Sequence, residues 1–301
     1  SKGNEKIGST LKGIGPAYMD KTGRNGLRVG NLLDKSFTTE YIKLRLKNQK
    51  NLESFNFQED ISAWEEEFFE AIEFLREFKI VNGEYFINDK IQQGKKVLAE
   101  GAQGSMLDVD FGTFPFVTSS STISAGVCTG LGIAPQKIKD VYGVSKAYCT
   151  RVGSGPFPTE LNDETGELIR KIGSEFGATT GRPRRCGWID LVALNFACMI
   201  NGVTKIIMTK TDILDSLPEL NVCTGYNVNG EEKNYVPFQM TQVKIDPVFK
   251  SFAGWETDIT GMSKYDELAE NMKNYIEYIN KFLKVPVKYI SNGPGRDQII
   301  L

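Results

Sequence analysis

The sequence contains no histidine. Histidine is the side chain that most often transfers protons near neutral pH, so acid–base chemistry must depend on carboxylates, lysines or groups outside this chain. The five cysteines include no CxxC pair, and without histidine they do not match the ligand spacing of a zinc site. We therefore expect reduced thiols and a cytoplasmic protein.

Long apolar runs and an excess of one charge are also missing. The longest apolar stretch, near residues 191–200, is interrupted by Asn195 and is too short to span a bilayer. Thirty-six basic residues oppose 38 acidic ones, which gives a net charge of −2. We therefore expect neither a membrane protein nor one that binds nucleic acid through a general basic field.

Alternating helical and extended patterns run along the chain. Apolar residues at steps of three and four predict helices over residues 59–78, 189–200 and 263–285, the last with Ser263 as N-cap and ended by Pro286. Short apolar runs predict buried strands at residues 97–99, 141–144, 205–208 and 287–290. Asn229-Gly230 predicts a hairpin between residues 222 and 236. The pattern indicates one α/β domain over residues 1–301, with a mostly parallel sheet flanked by helices.

A polar loop rich in glycine or threonine follows each predicted strand. The loops are GAQG at 101–104, SKAYCTRVGSG at 145–155, TKTD at 209–212 and SNGPG at 291–295. Ligands of open α/β sheets bind outside the carboxyl ends of the strands. We therefore expect the four loops to meet at one edge of the sheet.

Two of these loops have chemistry that suits guanine. The Asp212 carboxylate could accept hydrogen bonds from N1–H and the 2-amino group, a donor pair that adenine does not have. The Lys210 stem could cover the purine while its ammonium stays in solvent, and backbone N–H groups of the 291–294 turn could meet O6. A helix N-cap at Asp212 and an ordinary tight turn are the alternatives.

The segment ATTGRPRR at 178–185 places three arginines in a small loop. Guanidinium groups bind carboxylates and phosphates in a bidentate manner, and threonine hydroxyls add donors. Gln103, between two glycines, could recognise a base edge through both its donor and its acceptor. The alternative is a solvated basic loop or a nucleic-acid patch, although no basic face with interleaved aromatics is evident.

Six segments, read in order, resemble the adenylosuccinate synthetase family. They run from Gly8 to Gly295: GSTLKGIGPAYMDKTGRNGLRVGNLLD, EGAQGSMLDVDFGTFPFVTSSS, RVGSGPFPTEL, TTGRPRRCGWIDLVALN, TKTDILDSL and SNGPG. The resemblance implies a P-loop-NTPase-like synthetase fold and a ligase of purine biosynthesis, acting at the first committed step of AMP synthesis. In that reaction GTP phosphorylates O6 of IMP, and the amine of L-aspartate then displaces the phosphate to give adenylosuccinate.

The resemblance also implies roles for individual residues. IMP would be bound by Thr10, Arg24, Gln103, Leu107, Thr118 and Arg182. L-Aspartate would be bound by Ala178, Thr179, Thr180, Gly181, Arg182 and Arg184. GTP would be bound by Arg184, Lys210, Thr211, Asp212, Ser291, Asn292 and Gly293. Gln103 would also support catalysis, and Arg24 would reach the IMP site of the neighbouring subunit in a homodimer.

The catalytic aspartate base and histidine of the family, its phosphate loop and its Mg²⁺ contacts would lie in an N-terminal portion that precedes this chain. We therefore expect no metal ligand here, Mg²⁺ in the full enzyme, and no activity from this chain alone. One alternative is a non-catalytic guanine- or purine-nucleotide-binding module derived from the family. Another, an RNA-binding protein that uses Arg182, Arg184 and Arg185, fits poorly with the net charge of −2.

Overall fold

The structure, a computed structural model, describes residues 12–57, 60–177 and 181–301. The chain divides into two compact units. The described residues of the first are Glu100–Thr129 and Ala134–Leu301, apart from the gap at 178–180, and those of the second are 12–99, apart from 58–59, and Gly130–Ile133. All the strands below belong to the first unit.

Eight α-helices are formed by the described residues. They are α1 Ile14–Thr22, α2 Phe37–Glu53, α3 Ser62–Arg76, α4 Gly83–Gln92, α5 Ala125–Leu131, α6 Glu164–Ile172, α7 Leu191–Asn201 and α8 Glu270–Leu283. The helices α3, α7 and α8 confirm the three sequence predictions in type, with shorter bounds. Within the second unit, Ile72 of α3 is buried in a small cluster with Leu32 and Phe37.

The strands are β1 Tyr142–Lys146, β2 Cys149–Arg151, β3 Arg185–Gly187, β4 Ile189–Asp190, β5 Lys205–Thr209, β6 Glu219–Val228, β7 Glu231–Lys233, β8 Ile245–Ala253, β9 Val287–Ser291 and β10 Ile299–Ile300. The central sheet has the order β1-β5-β9-β10, with β1, β5 and β9 parallel and β10 antiparallel to β9. The predicted α/β class is therefore confirmed.

Two smaller sheets complete the first unit. In one, β6 pairs in parallel with β4 and antiparallel with β7 and β8, and the other is the antiparallel ribbon β2-β3. The hairpin between β6 and β7 turns at Asn229 and Gly230, whose φ angles of 54° and 91° are both positive. A type I′ turn requires positive φ at both central residues, so the predicted hairpin is confirmed.

The core lies between the central sheet and the helices α7 and α8. Ile206, Met208 and Ile290 from the sheet are buried, together with the α8 stripe Met272, Tyr275, Ile276 and Ile279. This stripe repeats at three and four residues, so one face of α8 is buried against α7, β8 and the central strand β9.

The start of α8 differs from the prediction. The residue that precedes its first turn is Ala269, and Ser263 lies before a short 3₁₀ turn at Tyr265–Glu267. The Glu267 carboxylate accepts hydrogen bonds from the backbone N–H groups of Ser263 and Lys264, at 2.8 and 3.1 Å. Ser263 was therefore wrong as the N-cap, because these bonds stabilise a separate turn upstream of the helix.

The predicted strand at residues 97–99 is also wrong. These residues form no regular structure, and Leu98 is 89% exposed. A β-strand requires a neighbour to exchange backbone hydrogen bonds with, and no strand in the described part of the chain lies beside this segment. Apolar composition alone therefore gave a false signal.

Candidate functional site

Three parallel strands end at the same edge of the central sheet. The register pairs Lys146 of β1 with Thr209 of β5, and Met208 of β5 with Ile290 of β9. The loops that follow β1, β5 and β9 therefore meet, as the sequence predicts for parallel strands. The fourth loop, at 101–104, follows no strand, so the argument from strand ends does not apply to it.

The loop after β5 and the turn after β9 are joined directly. The Thr211 hydroxyl donates a hydrogen bond of 3.0 Å to the carbonyl oxygen of Ser291. Thr211 is buried, so this bond is shielded from water. The two segments with guanine chemistry consequently form one surface.

Lys210 turns the chain out of β5. Its left-handed backbone, with φ at 64°, starts the 3₁₀ helix Thr211–Leu214. Its ammonium donates a 2.8 Å hydrogen bond to the carbonyl oxygen of Gly173, at the C-terminal end of α6. The expected free ammonium is therefore wrong, since the lysine stem is held at both ends.

Asp212 lies inside that 3₁₀ helix, and the N-cap position belongs to Lys210, which excludes the N-cap alternative. The Asp212 carboxylate is half-buried, and no other residue in the described ranges donates a hydrogen bond to it. Burial raises its pKa, while its own backbone N–H and the nearby Lys210 charge oppose that shift. An acceptor pair of this kind suits a ligand with two adjacent N–H donors.

Asn292 braces the turn after β9. Its buried side-chain amide donates to the carbonyl oxygens of Ile259 and Met262, the latter at 2.9 Å. Its backbone N–H donates to the carbonyl of Gln298 at 3.2 Å. The side chain of Asn292 thus fixes the turn, which leaves the backbone of Ser291 and Gly293 facing the neighbouring loop.

Gln298 is a residue at this turn that sequence reasoning missed. Its side-chain oxygen accepts a 2.7 Å hydrogen bond from the backbone N–H of Gly295. A Cβ at Gly293 would lie 2.4 Å from the end of the Gln298 side chain, so any larger residue there would push the Gln298 amide away from Gly295. No sequence signal pointed to Gln298, because the contact depends on β10 folding back against β9.

The arginine-rich segment forms a narrow hairpin, called here the arginine hairpin, between Glu175 and Arg184. The Arg184 N–H donates to the Glu175 carbonyl at 2.9 Å, and the Gly177 N–H donates to the Arg182 carbonyl at 2.8 Å. Gly181 has φ at 63°, which glycine adopts without strain. The predicted aspartate residues Ala178, Thr179 and Thr180 lie outside the described residues.

The arginines of this hairpin differ in their surroundings. Arg185 forms a bidentate ion pair with Glu160, with the Nε–Oε1 distance at 2.7 Å, and it also donates to the carbonyls of Gly153 and Gly155. Arg184 pairs with Glu175 through Nη1 at 2.7 Å. Arg182 is exposed. Arg185, the first residue of β3, therefore stabilises the fold. Arg182 and Arg184 belong to the hairpin itself.

Glu175 is a second residue that the sequence did not indicate. Its carboxylate is fully buried and accepts hydrogen bonds from Lys146, Tyr148 and Arg184. Burial alone would raise its pKa, but these three donors outweigh burial and hold the pKa below its usual value. A lone glutamate before a glycine-rich loop has no distinctive spacing, so only the tertiary structure reveals its partners.

Three predicted IMP residues of the first unit, Gln103, Leu107 and Thr118, lie in one irregular segment. The Thr118 N–H donates to the Leu107 carbonyl at 2.9 Å, so these two residues are neighbours. Gln103 is exposed on a left-handed backbone with φ at 63°. Arg151, at the end of β2, donates to the Phe116 carbonyl at 3.0 Å, which places the segment beside the loop that follows β2.

Asp108 organises this segment and was also missed. Its buried carboxylate accepts backbone hydrogen bonds from Asp110, Phe111, Thr122 and Ile123 at 2.7 to 3.3 Å. Burial would raise its pKa, but the four backbone donors together hold the pKa below its usual value. The carboxylate therefore shapes the loop through backbone contacts that no residue pattern encodes.

Three predicted IMP residues remain, and one of them, Arg182, belongs to the arginine hairpin described above. Arg24 belongs to the second unit, where it has φ at 63° and lines a cavity of about 280 Å³ with Lys43 and Lys47. Thr10 lies outside the described residues.

In the described part of the chain, no three histidine, cysteine, aspartate or glutamate side chains are grouped so that they could hold a metal ion. These residues thus do not fit a protein-built Mg²⁺ cage, which takes oxygen ligands. The five cysteines are free thiols. No helix among the described residues combines the length and the apolar character that a membrane span needs.

Comparison with known proteins decides between the remaining interpretations. The adenylosuccinate synthetase profile matches residues 1–300. The chain belongs to the adenylosuccinate synthetase family. The synthetase of Flavobacterium johnsoniae is 53% identical over all of this chain and 71% of its own length, and that of Phocaeicola vulgatus is 52% identical over all of this chain and 70% of its own. A solved structure of fully ligated adenylosuccinate synthetase from Plasmodium falciparum superposes with a TM-score of 0.93 at 41% identity, covering all of this chain and 72% of that one.

Membership of the adenylosuccinate synthetase family confirms the predicted fold and reaction class. The chain belongs to a ligase that joins IMP and L-aspartate at the expense of GTP, in AMP biosynthesis. A non-catalytic module derived from the family is not favoured. The chain spans about 70% of the length of these relatives.

Proposed function

We propose that the edge formed by the ends of β1, β5 and β9 holds the guanine of GTP and the substrate L-aspartate in this ligase. The observation that carries the proposal is the Thr211–Ser291 hydrogen bond, which joins the two guanine-type loops beside the arginine hairpin. The full-length protein should form adenylosuccinate from IMP, L-aspartate, GTP and Mg²⁺. If the full-length protein does not form adenylosuccinate, the proposal is wrong.

Guanine would be held by the Asp212 carboxylate and by the backbone of Ser291 and Gly293. The carboxylate is a pure acceptor, so it favours the N1–H and 2-amino donors of guanine and repels the acceptor N1 of adenine. The tether from Lys210 to Gly173 keeps the lysine stem extended along the loop. The Lys210 stem would thereby cover one face of the base.

L-Aspartate would bind at the arginine hairpin, through Arg182, Arg184, Gly181 and the segment 178–180. A dicarboxylate requires two cationic groups, and guanidinium forks bind carboxylates in a planar, bidentate way. IMP would lie against Gln103, Leu107 and Thr118, with Gln103 recognising the base edge. In this arrangement the chain binds and orients the three substrates, which accounts for much of the rate enhancement in phosphoryl transfer.

Mg²⁺ would enter with the nucleotide phosphates, as is usual for hydrated Mg²⁺ in phosphoryl-transfer enzymes. When bound, it neutralises the charge that develops on the transferred phosphoryl group. We assign none of its ligands to the described residues.

A homodimer is the assembly that would give Arg24 its role. Arg24 would then contact the IMP phosphate of the neighbouring subunit, as the family resemblance implies. Arg24 lines one cavity with Lys43 and Lys47, but Lys43 pairs with Glu40 of the same cavity and Lys47 pairs with Asp20, so Arg24 is the cation there on which we place the anion-binding role. We also propose a cytoplasmic enzyme, since the free thiols suit a reducing compartment.

A further inference from the structure

Glu175 lies at the base of the arginine hairpin, where three side chains converge on its carboxylate. Lys146 Nζ lies 2.7 and 2.8 Å from the two oxygens, the Tyr148 hydroxyl donates at 2.5 Å, and Arg184 Nη1 donates at 2.7 Å. The carboxylate is 0% exposed. A buried carboxylate with this many charge-assisted bonds is held rigidly, and so are its partners.

Hydrogen bonds hold the backbone of Arg184 and one nitrogen of its guanidinium group. Its backbone N–H donates to the Glu175 carbonyl at 2.9 Å, and its carbonyl accepts from Arg170 Nε at 2.8 Å. Within the described residues, its guanidinium makes a hydrogen bond only through Nη1. The edge formed by Nε and Nη2 is therefore the fork left to receive a carboxylate.

The same cluster touches the guanine loop. Lys210 donates to the carbonyl of Gly173, which precedes Glu175 by two residues. Burial lowers the pKa of Lys146, Glu175 opposes that shift, and the charges of Arg184 and Lys210 lower the pKa further, so the three cations are close together. Glu175 thus lies among three cations, and Asp212 is a second carboxylate close to Lys210.

We propose that Glu175 is a positioning residue for substrate L-aspartate, because it holds the Arg184 guanidinium so that the Nε and Nη2 edge meets a substrate carboxylate. The inference rests on the proposed function, which gives Arg184 that substrate. Glutamine in place of Glu175 has nearly the same shape, but it loses the charge, and its NH₂ group replaces one of two oxygens that each accept from two side chains. The Arg184 guanidinium then keeps at best a hydrogen bond to a neutral amide oxygen in place of its ion pair.

Steady-state kinetics of the full-length protein test this role. Glu175→Gln should raise KM for L-aspartate by about ten- to a hundredfold, the range expected for a hydrogen bond to a charged group, while KM for IMP changes by about twofold or less. Lys146→Met is the matched control. It removes a donor from the same carboxylate but leaves the Glu175–Arg184 pair, so KM for L-aspartate should rise clearly less than in Glu175→Gln. An equal rise in both variants would indicate general charge attraction and overturn the positioning role.

Glu175→Asp keeps the charge but shortens the side chain. It is the variant to measure if Glu175→Gln does not fold. It should also raise KM for L-aspartate, because the carboxylate no longer reaches Arg184. An unchanged KM in a folded Glu175→Asp enzyme would contradict the inference.

A double-mutant cycle separates this inference from the proposed function. If Glu175 acts through Arg184, then adding Glu175→Gln to Arg184→Ala should change KM for L-aspartate by no more than about twofold. Independent, multiplying effects would overturn the inference and leave the aspartate role of Arg184 intact. If Arg184→Ala by itself leaves KM for L-aspartate unchanged, then the proposed function of Arg184 is wrong, and the inference falls with it.

Discussion

At the residue scale, neighbouring polar groups at the nucleotide end of the site differ in what surrounds them. Asn292 is buried and uses its amide to brace the turn, whereas the half-buried Asp212 carboxylate receives no hydrogen bond from another described residue. The donor group of Asn292 is used by the fold, while its buried Oδ1 has no hydrogen-bond partner among the described residues. The Asp212 carboxylate offers two acceptor oxygens that no other described residue pairs, so we assign the contact with the two guanine donors to Asp212.

Asp212→Asn tests this assignment. The variant side chain can donate as well as accept, so it should bind the 2-oxo group of xanthine in place of the 2-amino group of guanine. We expect kcat/KM for GTP to fall by about a hundredfold and xanthosine triphosphate to become the better substrate. Nucleotide competition assays on the full-length protein check this. If the preference for GTP is unchanged, Asp212 does not recognise the base. Asp266→Asn, which is far from this loop in sequence, is the control and should keep the preference for GTP.

Gly293→Ala tests the close contact in the turn after β9. The added Cβ would lie 2.4 Å from the end of the Gln298 side chain, so that side chain must move aside and lose its hydrogen bond from the Gly295 N–H, and KM for GTP should rise by about threefold. Gln298→Ala by itself should have about the same effect, and the double variant should be no worse than either single variant, because the same hydrogen bond is lost in all three. Additive damage in the double variant would show that the contact does not limit the turn.

At the element scale, two short segments of the site are each fixed by a buried carboxylate. Glu175 closes the arginine hairpin, and Asp108 gathers the 104–123 segment. A buried carboxylate with backbone or cationic donors stabilises a loop that has little apolar surface of its own. These segments therefore depend on a few charged contacts.

Stability against pH tests this for Asp108. Its pKa in the folded protein is lowered, so its contribution is present above the unfolded value and is lost as pH falls through the folded one. Asp108→Asn should lower the free energy of unfolding by about 2 kcal/mol at neutral pH. The difference from wild type should shrink below about pH 4, near the ordinary pKa of aspartate.

Urea unfolding at a series of pH values measures that difference, with the exposed Asp110→Asn as the control. Asp190 and Asp215 have raised pKa values, so they change the free energy of unfolding with pH in the opposite direction. Wild type and Asp108→Asn both contain these two residues, so their effect cancels in the difference. A difference that does not change with pH would contradict the role of the Asp108 charge.

At the scale of the whole molecule, the predicted IMP residues are divided between two compact units, with Arg24 in one and Gln103, Leu107 and Thr118 in the other. In the homodimer that we propose, Arg24 completes the site of the neighbouring subunit. Each site would then draw on residues of two chains, so activity depends on assembly.

Subunit mixing tests this arrangement. Arg24→Ala and Arg184→Ala should each be nearly inactive, but an equal mixture of the two should recover about a quarter of the wild-type activity. Half of the randomly formed dimers are mixed, and each mixed dimer has one site with both arginines. No recovery after verified subunit exchange would place Arg24 in the site of its own chain.

Much of this could be predicted from local sequence. The helices α3, α7 and α8 and the strands β1, β5 and β9 follow from spacing that repeats within a few residues, and the family motifs are contiguous. The predicted strand at residues 97–99 failed because a strand depends on a partner, and the expected N-cap at Ser263 failed because Glu267 draws the chain into a separate turn.

The sequence by itself determined the α/β class, the hairpin at Asn229-Gly230 and the family, since each depends on residues that are near one another in the chain. Only the tertiary structure decided which charged residues act together. Glu175 meets Lys146 across 29 positions, and Asp108 meets Thr122 across 14. Folding brings such pairs together through the packing of the sheet and helices, and no spacing in the chain records that packing.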